Sequence, residues 1–278
     1  MIWGVQMPPA SDRPPEPSTL HRAFSIGGPL DWGDHPLSAA EIARLHGAKA
    51  TRKSLRLLEE AVAIEPRITA DFLASLPDAA SPYQLARRVK SPESLARKIR
   101  DSAVKHRRVP LDDLLRYTVQ AASPDDLVDS ARGTVDQLTD RGWRVVYAMH
   151  SYTDGSRYKG LHAYLAAPGG ARVEIQFHSA ASARIKELTT PWYEIERSLR
   201  AATHDRDVAR QKCVDLSATL SPPAGIEGLT ALGGKDVTVK NYSDSRAHTP
   251  PPGRQDSQVD SRRAVGQSMT RRNGGMMR

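Results

Sequence analysis

The chain has 278 residues, a formal charge of +8 and a single cysteine, Cys213. Length allows one or two domains, and one cysteine excludes an internal disulfide or a cysteine-built zinc cluster. No apolar run nears the roughly 18–20 residues that span a bilayer, and residues 1–6 lack the basic leader of an export signal. A cytoplasmic protein with no membrane attachment is therefore expected.

Residues 1–37 are rich in Pro and Gly with few, aperiodic apolar positions, the composition of a segment that does not fold. Helical periodicity then begins. Residues 37–46 carry Ile42 and Leu45, and 51–64 carry Leu55, Leu58, Ala61 and Val62 on one face. A shorter helix is expected over 69–76 and a well-marked one from Pro92 to about Lys105. The period then changes. Strands are expected over 114–121, 143–150, 160–167 and 172–178, with a helix over 127–141 launched by Ser123-Pro124-Asp125-Asp126. Pro168-Gly169-Gly170 joins the last two strands as a hairpin. Helices follow over 182–200, with Pro191 a candidate break, and over 205–216. From 221 to 278 the chain reads as a disordered basic tail. Its part beyond 234 holds nine Lys/Arg against four Asp, so the high charge says little about the folded part. One domain, 38–220, remains: α+β, with a mixed, mainly antiparallel sheet flanked by helices.

Two regions carry chemistry. Ser91 is a good helix N-cap, Pro92 suits the first helical position and Glu93 complements the dipole. Arg88 and Lys90 stand just ahead of that start, while Ser94 and Lys98, four apart, share a helix face. Free N–H groups, the dipole and three cations form a polyphosphate site. The second region is the sheet. Alternation puts Val173, Ile175 and Phe177 on one side and Glu174, Gln176 and His178 on the other. Paired with the neighbouring strand, these join His162 and Tyr164 on a common polar face, with Arg116, Thr118 and Gln120 as a further row. Asp113 and Glu174 could hold Mg²⁺, which favours one or two carboxylates with phosphate oxygens and water. Tyr158, between Arg157 and Lys159 in a Gly-bounded loop, can stack on a base while the cations meet its phosphates.

In this order the blocks "RVKSPESLARKI", "DDLLRYTV", "YKGLH" and "VEIQFHS" resemble the synthetase domain of the RelA/SpoT family, the nucleotide 3′-pyrophosphokinases. The similarity spans about 88–193. The resemblance implies a nucleotidyltransferase-like fold and transfer of pyrophosphate from ATP to a nucleotide 3′-hydroxyl. It implies Arg88, Lys90, Ser94 and Lys98 as ATP-binding residues, Asp113 and Glu174 as the catalytic and Mg²⁺-binding carboxylates, and Tyr158, Lys159, His162 and Gln176 as acceptor-binding residues. GDP or GTP would give the alarmone (p)ppGpp. An adenine nucleotide or the 3′ end of tRNA would make a toxin-like enzyme accompanied by a neutralising antitoxin. The chain departs from the family in Arg116 and Thr118, where Gly and Arg are usual, and in His178-Ser179, where Arg-Thr is usual. No His-Asp pair lies in the N-terminal helices, so hydrolysis of the product is not expected. A rival reading is a non-catalytic nucleotide- or RNA-binding module.

Overall fold

The computed structural model describes residues 13–33, 36–107, 109, 111–198 and 201–243. Helices α1 (Pro17–Ser25), α2 (Ala39–His46), α3 (Ala48–Val62) and α4 (Glu65–Leu73) come first, followed by a short strand, β1 (Ala80–Pro82). Next are α5 (Pro92–Val104), β2 (Leu115–Ala121), α6 (Leu127–Asp140), β3 (Arg144–His150), β4 (Leu161–Ala166) and β5 (Arg172–Ser179). The last elements among the described residues are α7 (Ala180–Arg197), α8 (Thr203–Ala218), β6 (Ala231–Leu232) and β7 (Lys235–Val239).

Among the described residues the strands form one sheet in the order β1-β2-β5-β4-β3-β7-β6. Only β2–β5 and β3–β7 are parallel; the other four pairings are antiparallel. The fold is thus α+β with a mixed, mainly antiparallel sheet flanked by helices.

The two-residue alternation decides the layers. Leu115, Tyr117 and Val119 of β2 stand beside Val173, Ile175 and Phe177 of β5, which face Leu165, Ala163 and Leu161 of β4. All of these are buried. Against this apolar face lie α6, through Leu127, Ala131, Val135 and Leu138, and α4, whose Phe72 ring sits 4.7 Å from that of Tyr117. A register slip of one residue would turn the whole set to the other face, so burial fixes the pairing. The opposite face stays polar, and α7 lies over it.

Two boundaries differ from expectation. Residues 17–25 are helical because Leu20 and Phe24, four apart, bury one face of a short helix that the surrounding Pro and Gly obscure. Trp32 continues the anchorage, its indole N–H donating to the Val89 carbonyl at 3.0 Å. At the other end Ile226, Leu229 and Leu232 join the main core and β7 extends the sheet beside β3. The folded part therefore runs well past 220. Pro191 does not break α7; Thr189 and Thr190 back-bond to the Ile185 and Lys186 carbonyls one turn earlier, as hydroxyls do where a proline loosens the ladder. The expected disorder of 1–12 and of 244–278 lies outside the described residues.

Candidate active site

The start of α5 has the cap its sequence announces. The Ser91 hydroxyl accepts the Ser94 N–H at 3.3 Å, with Pro92 first in the helix and Glu93 in the first turn. Backbone bonds then set this start against β2: the Lys90 N–H donates to the Leu114 carbonyl and the Arg116 N–H to that of Arg88. The consequence is a three-membered cluster. Lys90 Nζ donates to Asp113 Oδ2 at 2.8 Å, and Lys98 Nζ to Asp113 Oδ1 at 2.6 Å. All three side chains keep about a fifth to a quarter of their surface exposed. Burial pushes the Asp113 carboxyl pKa up, but the two ammonium charges outweigh it and hold the group below its ordinary value.

Beside this cluster the polar face of the sheet converges on Glu174. Register places Arg116 next to Glu174 and Thr118 next to Gln176 across β2–β5, and Tyr164 opposite Glu174 across β4–β5. Glu174 Oε1 accepts from His162 Nδ1 at 2.8 Å, from Gln176 Nε2 at 3.0 Å and from the Tyr164 hydroxyl at 3.3 Å. Burial opposes its charge; the His162 hydrogen bond and charge, with Arg116 nearby, hold its pKa well below the carboxylate range. His162 Nε2 meets the Tyr158 hydroxyl at 2.7 Å, and that hydroxyl meets His178 Nε2 at 3.1 Å, whose Nδ1 meets Ser182 Oγ at 3.0 Å. An ionised carboxylate only accepts, so it imposes a direction. His162 Nδ1 then carries a proton and donates to Glu174, and the Tyr158 hydroxyl links the two imidazoles. Burial keeps His178 neutral, its pKa well below the ordinary imidazole value, and pushes the Tyr158 phenol up.

Tyr158 sits where it does because residue 160 is glycine. A Cβ there would lie 2.5 Å from the Tyr158 hydroxyl oxygen and 2.8 Å from Cζ, so the ring occupies the space a side chain would fill.

Several expected residues thus come together: Lys90, Lys98 and Asp113 in one cluster, and Glu174, Gln176, His162 and Tyr158 in the adjoining network. Three others have partners elsewhere. Arg88 is 1% exposed: Nε donates to Glu65 at 2.6 Å, and the terminal nitrogens donate to the carbonyls of Pro29, Leu85 and Phe24. It pins the N-terminal segment to the core, and its burial keeps it from a phosphate. Lys159 is buried, with Nζ donating to the Leu220 carbonyl at 2.9 Å. The Ser94 hydroxyl turns to Glu93 at 3.4 Å.

Lys186 escaped the sequence reading. From α7 its Nζ reaches Gln176 Oε1 at 2.6 Å, and burial beside Arg116 brings its pKa down to about 8. Helical spacing alone does not show which turn of α7 crosses the sheet. Arg116 makes no side-chain hydrogen bond or ion pair among the described residues. A cavity of about 250 Å³ opens between the polar face and α7–α8, lined by Tyr158, Tyr164, Tyr193, Tyr242, Glu174 and Lys186 among others. Tyr242 belongs to the stretch expected to be tail.

The carboxylates suit a divalent cation shared with a phosphate. Both are ionised, they are near enough for Glu174 to raise the Asp113 pKa, and Glu174 Oε2 accepts no hydrogen bond among the described residues. No group of three His, Cys, Asp or Glu is arranged for a metal among the described residues, so a substrate would have to complete the coordination, as Mg²⁺ commonly requires. Among the described residues no helix is long and apolar enough to cross a membrane.

Among solved structures, the chain is similar to small alarmone synthetase 2 from Bacillus subtilis, with 15% identity and a TM-score of 0.34 over 60% of this chain and 88% of that one. Small alarmone synthetase 1 from the same organism gives 17% identity and a TM-score of 0.32 over 61% and 87%. In its complex with the product pppGpp the values are 17% and 0.29 over 65% and 94%. No protein-family model matches the chain, and no curated protein matches it.

Proposed function

We propose that the chain is an ATP-dependent pyrophosphoryl transferase acting on the 3′-hydroxyl of a nucleotide, with GDP or GTP as the leading acceptor. The observation that carries this reading is the convergence of Lys90 and Lys98 on Asp113 at the start of α5, alongside the ionised Glu174.

The two lysines neutralise Asp113. A triphosphate at the helix start supplies stronger anionic partners, and the flexible lysine stems can turn to it. Both oxygens of Asp113 are then free for Mg²⁺, which Asp113 and Glu174 would hold. That ion, when bound, neutralises charge developing on the phosphates. The Tyr158 ring stacks the acceptor base. Glu174 accepts a hydrogen bond from the 3′-hydroxyl and orients it. The 3′-oxygen bonds to the β-phosphorus of ATP, the bond from that phosphorus to the α,β-bridging oxygen breaks, and AMP departs with the bridging oxygen while the hydroxyl proton is released. Catalysis of this kind is mainly positioning and charge stabilisation.

The test is AMP formation from ATP with each acceptor. Glu174→Gln and Asp113→Asn should each reduce it by at least about 100-fold with unchanged circular dichroism; full activity in both would refute the assignment. Sequestration of Arg88 favours a second reading, a nucleotide-binding module without turnover. That reading predicts nucleotide binding with no AMP release from the wild-type chain.

A further inference from the structure

We propose that Tyr242, carried by the segment after β7, is the second aromatic wall of a nucleobase pocket that takes the acceptor. The inference rests on the transferase reading only for the word acceptor; the base-binding claim stands on the cavity.

Half of the chain's eight tyrosines line this one cavity: Tyr158, Tyr164, Tyr193 and Tyr242. The rings of Tyr158 and Tyr242 are 6.0 Å apart at 80°. They form a corner, so a planar ring laid on one meets the edge of the other, a favoured aromatic arrangement. Both are held by the same buried side chain. Ser156 Oγ donates to the Tyr158 carbonyl at 2.7 Å and accepts the Tyr242 N–H at 3.3 Å. Flanking bonds secure the strap: the Lys240 N–H donates to the His150 carbonyl at 2.9 Å, and Asn241 Nδ2 to that of Asp154 at 3.0 Å.

Charge around the corner fits a nucleotide. Lys240 Nζ lies 4.7 Å and Arg157 Cζ 5.9 Å from the Tyr242 ring centroid. Arg157 is already paired with Glu196 at 2.9 Å, whereas Lys240 has no ion pair among the described residues. An ammonium so placed can meet a phosphate. The volume narrows the ligand further. About 250 Å³ falls below the roughly 300–1,000 Å³ of pockets that enclose a whole ligand. The pocket takes the base and leaves ribose and phosphates at its mouth.

The experiment compares full-length wild type, Tyr242→Ala and Tyr242→Phe. Binding of GDP, of ADP and of a non-transferable α,β-methylene ATP analogue is measured by calorimetry, with thermal melts as a control on folding. Loss of one stacked base predicts about 5- to 150-fold weaker binding of GDP or ADP to Tyr242→Ala. Affinity for the ATP analogue stays unchanged, and the Phe variant recovers most of the loss. If wild type forms no AMP but binds GDP or ADP in this Tyr242-dependent way, the transferase reading falls and this inference holds. Equal GDP and ADP affinity in wild type and Tyr242→Ala overturns the inference, even if AMP is formed. So does tighter binding to Tyr242→Ala, which would make the strap a plug, or a wild type that binds neither nucleotide.

Discussion

Replacing Arg88 with Met separates a structural arginine from a ligand-binding one. Met keeps much of the side-chain volume but deletes every donor. The Glu65 carboxylate, 2% exposed, is left with the Thr69 hydroxyl as its remaining partner, and the carbonyls of Pro29, Leu85 and Phe24 each lose a donor, Leu85 keeping the backbone N–H of residue 88. Removing one partner of a buried ion pair costs about 3–5 kcal/mol. For a folded region of this size each kcal/mol lowers the melting temperature by about 2–4 °C, so Arg88→Met should melt about 6–20 °C below wild type. The double variant Glu65→Gln/Arg88→Met should recover part of the loss, because no bare charge remains buried. Differential scanning calorimetry of the three proteins, with calorimetric titration of the ATP analogue below the melting range, checks both halves. A melting temperature unchanged in Arg88→Met together with abolished ATP binding would refute the reasoning and return Arg88 to the phosphates.

Lys98→Ala should do the reverse: ATP binding weakens at least about tenfold, through loss of a charge-assisted contact, with a melting change of only a few degrees because its partner Asp113 keeps Lys90. Equilibrium dialysis with labelled ATP reads the effect. Gly160→Ala drives a methyl into the Tyr158 ring; overpacking costs about 1–3 kcal/mol, and the displaced ring should raise the acceptor KM more than the ATP KM in initial-rate kinetics. Lys186 titrates near 8 when folded against 10.5 ordinarily. Between those values the unfolded chain binds more protons, so this group makes stability rise with pH. Urea midpoints at pH 7.5, 9 and 10 should show that rise in wild type relative to Lys186→Met; parallel curves would contradict the burial assigned to Lys186.

Much of the architecture is legible in the residues. The alternation of Val173, Ile175 and Phe177 with Glu174, Gln176 and His178 survives intact in β5, because a half-buried strand has no freedom to place its polar set elsewhere. The cap at Ser91 is equally local, and so is the sharing of one helix face by Ser94 and Lys98. What is not legible depends on contacts distant in sequence. Arg88 precedes a capped helix as a phosphate ligand would, yet it is buried against Glu65 and the carbonyls of a segment more than fifty residues upstream. Lys159 flanks Tyr158 in the loop but spends its charge on a carbonyl 61 residues later. Tyr242 follows a five-residue strand, Lys-Asp-Val-Thr-Val, whose alternation is too short to stand out in polar surroundings; only pairing with Ala148 and His150 reveals it. In each case the side chain's chemistry is evident and its partner is not.

The central claim is that Lys90, Lys98, Asp113 and Glu174 hold ATP for transfer of its terminal diphosphate. Its most direct test follows ATP labelled in the β-phosphate, with Mg²⁺ and GDP, GTP, ADP or tRNA, by nucleotide chromatography. The account predicts AMP and an acceptor carrying the label as a 3′-diphosphate, in equal amounts, and neither from Glu174→Gln. Release of ADP with inorganic phosphate, or ATP left intact with every acceptor, would contradict it.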